Sequence, residues 1–79
     1  MNATVTEFRI DWFRLIVTLR GCGMSEREIA RRLGVDHSNV VRWKQGVEPV
    51  HEKGERLIRL YCSQLALTRD DVPVRPAIR

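Results

Sequence analysis

The sequence predicts an all-α fold, a compact domain of four or five helices around one core. Apolar residues recur at helical spacing in successive segments, and no run alternates with the two-residue period of a strand. Glycines and one internal proline separate these segments at distances suited to short connections. The chain has 79 residues, enough for one domain but short. A domain of this size buries only about 60% of its unfolded surface, so association with a second copy would help it.

The elements follow in order. Met1–Ala3 are expected to fray. Thr4 and Glu7 form a candidate capping box, opening a helix to about Arg20 with Phe8, Trp12, Leu15, Ile16 and Leu19 on one face. Phe13 and Val17 widen that face: they either complete the core against the last helix, the commoner use of such a stripe, or meet another subunit. Gly21 and Gly23 flank Cys22 in a turn.

Next comes the segment on which the chain is organised, residues 25–46. Ser25 is a good N-cap, and Glu28 completes the box S-x-x-E. Ile29, Ala30 and Leu33 form one apolar stripe, and Gly34 can take the left-handed conformation that ends a helix. Ala30 matters for its size, since a larger side chain would push the two helices apart. Val35 plugs the gap between them. Asp36 caps the second helix, Val40 and Trp43 face inward, and Gly46 follows its end.

Pro49 stops that helix from continuing. The last long helix spans about 51–66, with Leu57, Ile58, Tyr61, Cys62 and Leu65 inward. Gly54 costs about 1 kcal/mol inside a helix, which points to a helix start or a close approach there. Leu60 and Leu67 lie off the stripe and form the expected dimer interface. Thr68-Arg69-Asp70-Asp71 can cap one extra turn, and the two prolines of residues 72–79 suggest an extended arm. The domain is thus expected over 1–67, with a C-terminal arm over 68–79.

At Glu28-Ile29-Ala30-x-x-Leu33-Gly34-Val35-x-x-Ser38-x-Val40-x-x-Trp43-x-x-Gly46 the chain resembles the helix-turn-helix family, in particular small phage repressors of the Cro/C1 kind. The likeness extends over roughly 24–67. It implies a DNA-binding unit whose second helix enters the major groove with its N-terminal residues toward the bases. Such units also occur in recombinases, transposases and phage packaging proteins.

Charge agrees with a polyanionic partner: 14 Lys and Arg against 10 Asp and Glu give +4. No apolar run approaches the ~20 residues of a membrane span, and no cleavable leader pattern appears, so the expectation is a cytoplasmic protein that does not meet a membrane. Cys22 and Cys62 lack the close pairing of a metal site and are expected to be small buried apolar residues. Asp36, His37 and Ser38 have the residue types of a catalytic triad, but successive helical positions turn ~100° apart and cannot converge. An enzyme is not expected, nor a metal, cofactor or small-molecule ligand.

With Val40 and Trp43 inward, His37, Ser38, Val41, Arg42 and Gln45 line the outward face as candidate base readers. Arg42 suits guanine O6 and N7, Gln45 adenine or a phosphate, and Val41 a thymine methyl; Ser38 and His37 can donate or accept. Candidate phosphate contacts are Ser25, Arg27, Arg31, Arg32, Asn39, Lys44 and Lys53, with Arg27 and Lys44 ahead of Arg31 and Arg32, which Glu28 or Asp36 can instead neutralise. The expected function is a sequence-specific double-stranded DNA-binding regulator, a phage or mobile-element repressor acting as a homodimer on an inverted repeat. The alternative is the DNA-recognition subunit of a packaging (small terminase) or recombination machine.

Overall fold

In the computed structural model, which describes residues 7–77, the order is strand β1 (Glu7–Ile10), helices α1 (Trp12–Gly21), α2 (Glu26–Leu33), α3 (His37–Lys44) and α4 (His51–Leu65), a 3-10 turn (Arg69–Asp71) and strand β2 (Val74–Ala77). Four helices are therefore present as expected, but the fold is not purely α. The fraying of Met1–Ala3 and the cap at Thr4 lie outside the described residues.

The first helix starts later than its apolar stripe suggests. Asp11 is its N-cap, with a carboxylate oxygen accepting from the Arg14 N–H at 3.0 Å. The four residues before it are extended and pair antiparallel with β2. Phe8, assigned to a helical face by spacing, is instead an exposed strand residue. Phe8 fits a helical period with Trp12, four residues on, and a two-residue period with Ile10, and long-range pairing with residues 74–77 decided between them.

The pairing explains how two prolines fit a ribbon. Glu7 faces Ala77, Phe8 faces Pro76, Arg9 faces Arg75 and Ile10 faces Val74. The Asp11 N–H donates to the Pro73 carbonyl at 2.9 Å, which makes Asp11/Pro73 and, two residues along, Arg9/Arg75 the hydrogen-bonded pairs. Pro76 then falls at a non-hydrogen-bonded pair, where its missing N–H costs nothing. Pro73 ends the ladder, and the Asp11 carbonyl turns to the Leu15 N–H instead.

The segment read as an arm thus folds back on the domain. Thr68 and Asp71 form a reciprocal capping box at the expected extra turn, and Val72 joins the buried core. The rest of that core is Leu15, Ile16 and Leu19 of α1, Met24, Ile29, Ala30 and Leu33, Val40 and Trp43 of α3, and Leu57, Ile58 and Tyr61 of α4. Phe13 and Val17 do not complete it; they are 56% and 41% exposed. Cys22 is exposed rather than buried, while Cys62 packs partly against the core. Leu60 is also half-buried against the core, so of the two expected dimer residues only Leu67 is exposed.

Gly54 is buried in α4 because a side chain passes close: a Cβ there would sit 3.2 Å from the Trp12 Cη2 and 3.5 Å from the Pro49 ring. The helix accepts the entropic cost of glycine to let the indole of α1 lie against it.

Candidate nucleic-acid interface

Two eight-residue helices, α2 and α3, form the centre of the candidate site. Ser25 caps α2 as expected, its hydroxyl accepting from the Glu28 N–H at 3.1 Å. Gly34 takes φ 70°, and the Val35 N–H reaches back to the Ala30 carbonyl at 3.0 Å while the Gly34 N–H meets the Arg31 carbonyl. This pair of bonds closes α2 within one residue. Val35 then packs on the core, and Asp36 starts α3 with extended backbone. Asp36 makes no side-chain capping bond, however. The half of the box expected from Glu28 is also missing, since its carboxylate is engaged elsewhere.

Positions along α3 separate cleanly at ~100° per residue. Val40 and Trp43 are buried, and Ser38, Arg42 and Gln45 are exposed on the far side. Gln45 is the C-cap residue, just past the last helical turn. Among the described residues no carboxylate or hydrogen-bond partner engages the side chains of Ser38, Arg42 or Gln45. Val41 and His37 are half-buried at one border of this face, and Asn39 at the other. His37 leans back: its Nε2 lies 3.4 Å from Glu26 Oε1.

Glu26 is the electrostatic centre of the α2 side. Its side chain is only 13% exposed and takes a 2.6 Å bond from Lys44 Nζ, with Arg20 at 3.4 Å. The Lys44 bond, reinforced by Arg20 and His37 and opposed by burial, holds the Glu26 carboxyl below its ordinary range. Lys44, a leading phosphate candidate, is therefore occupied within the protein. So are Arg31 and Arg32. Arg31 Nε donates to Glu28 Oε1 at 3.0 Å and Arg32 Nε to Glu28 Oε2 at 2.9 Å. With a further bond from Arg31 Nη2 to Glu28 Oε2, the hydrogen bonds from Arg31 and Arg32 push the Glu28 carboxyl down to about 2.

Two of the candidate phosphate contacts, Arg27 and Lys53, have no carboxylate partner among the described residues. Arg27 is exposed beside Ser25 and Glu26, and Lys53 borders the cleft that holds Asn39 and Arg42. One basic pair was not recognised from sequence. Arg75 of β2 lines a cleft with Lys44, Gln45 and Gly46 at the C-terminal end of α3. Arg9, directly opposite it on β1, reaches Glu48 at 3.7 Å in the connection after α3. The only sequence signal was the basic, proline-flanked Val74-Arg75-Pro76; the partner strand was hidden in a helical stripe.

Among the described residues no group of three or more His, Cys, Asp or Glu side chains converges as a metal site would require, and no helix is long and apolar enough to cross a membrane. Comparison with models of known protein families, with curated proteins and with solved structures finds no match to this chain.

Proposed function

We propose that this protein is a sequence-specific double-stranded DNA-binding regulator that inserts α3 into the major groove. The observation that carries this reading is the unengaged face of Ser38, Arg42 and Gln45 on a helix whose opposite side is locked by Val40 and Trp43. Side chains with hydrogen-bonding capacity and no internal partner suit base edges, and an α-helix fits the major groove. Arg27 and Lys53 flank the face and suit phosphates. The small unit gains stability and a two-fold operator by pairing, and the size and motif fit a repressor of phage or mobile-element type that acts as a homodimer on an inverted repeat.

Selection of bound sequences from a random duplex pool, followed by titration across salt, tests this. The expected product is a palindromic motif, with log K falling against log salt by about 0.9 per phosphate contact. Recovery of no enriched sequence, or a binding constant indifferent to salt, would contradict the proposal.

A further inference from the structure

We propose that the β1–β2 ribbon is a second DNA-contacting element, in which Arg75 holds backbone phosphates flanking the base pairs that α3 meets. The inference rests on the DNA-binding reading above and extends it to a part of the chain outside the helix-turn-helix unit.

The ribbon has two unlike faces. Side chains directly across an antiparallel pair share a face and alternate along it. Phe8, Ile10, Val74 and Pro76 therefore lie on one side, and Arg9 and Arg75 on the other. Like charges set directly opposite destabilise a strand pair. The arrangement is not relieved at Arg75: it is exposed, and among the described residues no carboxylate pairs with it. Arg9 already has Glu48 as a partner, so the guanidinium of this face that can take an external anion is that of Arg75.

Position identifies the anion. The basic face borders the C-terminal end of α3 on both strands, Arg75 through the cleft with Gln45 and Gly46 and Arg9 through Glu48. Gln45 belongs to the unengaged face of α3, so a duplex seated on that face would run past Arg75. A guanidinium at such a site suits the bidentate geometry of a phosphodiester. It carries no sequence information there, because phosphate contacts position the protein and base contacts specify.

The test uses the full chain with Arg75→Ala and Arg75→Lys, titrated on the selected duplex between 50 and 200 mM salt. Phosphate-ethylation interference maps the contacts in parallel. Arg75→Ala is expected to bind severalfold more weakly at low salt on all sequences, with base preference intact and the salt slope reduced by about 0.9 per lost phosphate contact, hence by about 1.8 or more for a dimer that loses at least one in each half-site. One or two flanking phosphates per half-site should lose their interference signal. Arg75→Lys should retain most of the slope. Melting of Arg75→Ala should be unchanged or higher, because a like-charge pair has been removed.

Wild-type binding with an unaltered slope and phosphate map in Arg75→Ala overturns this inference while leaving the α3 reading intact. A lower melting temperature in both variants overturns it too, since Arg75 would then be structural. A wild type that selects no duplex overturns both proposals.

Discussion

Helices α2 and α3 have the same length, eight residues, and each buries one stripe against the same core. They differ in how their polar groups are used. The Ser25 side chain caps α2, and Glu28 gathers Arg31 and Arg32, so its capping and charged groups are largely satisfied within the protein. The Asp36 side chain makes no capping bond in α3, and among the described residues no hydrogen-bond or ion-pair partner engages the side chains of Ser38 and Arg42. The contrast teaches that arginine count is a poor guide to a binding face. Arg31 and Arg32 are as exposed as Arg42 in sequence terms, but a carboxylate one turn away has already taken them.

The largest effect should come from the crossing that holds the two helices together. Ala30 is 3% exposed there, and Ala30→Leu would force extra methylenes into a packed site at a cost of about 1–3 kcal/mol. Urea denaturation reads the loss, and DNA binding should fall with it as α3 shifts. Undiminished stability would mean that the crossing has room and that α3 is not held by α2.

The two caps come next in size. Ser25→Ala removes a side-chain bond to the Glu28 N–H and should cost about 1 kcal/mol. Asp36→Ala removes no such bond; it loses only a favourable charge near a helix N-terminus, worth about 0.3–1 kcal/mol when exposed. Equal losses in parallel denaturation curves would erase this difference between the helices.

A smaller effect should follow pH. The Glu28 carboxyl is depressed from 4.5 to about 2 by Arg31 and Arg32. A depressed acid stabilises the fold above its unfolded value and loses that contribution as pH falls through its folded value. Wild type should therefore lose stability between about pH 4 and 2 more steeply than Glu28→Gln, and the gap should shrink in high salt because the group is exposed. At neutral pH the same substitution releases Arg31 and Arg32, so binding to any duplex should tighten with a steeper salt slope. Identical pH profiles would show that the bridge does not hold in solution.

Residues 25–46 were legible in the sequence because their signals are local. The Ser25 cap, the Ala30 and Leu33 spacing, Gly34 and Gly46 each act within one helical turn of themselves. The β1–β2 ribbon was not legible, because its only determinant is pairing between residues almost seventy positions apart. Phe8 also satisfied a helical stripe. The use of charge was partly legible. Glu28 stands three and four residues from Arg31 and Arg32, a spacing that predicts pairing. The bond from Lys44 to Glu26 joins two helices and depends on how they cross, which no local spacing reveals.

The most direct test of the central claim sets Arg42→Ala beside Arg31→Ala on the selected operator and its single-base variants. If α3 supplies the free face and Arg31 stays bound to Glu28, Arg42→Ala loses about 1–3 kcal/mol at one base pair per half-site and relaxes preference there. Arg31→Ala should leave base preference unchanged and affinity nearly so. Loss of affinity in Arg42→Ala that is uniform across all base variants, or a change of base preference in Arg31→Ala, would contradict the assignment of reading to α3.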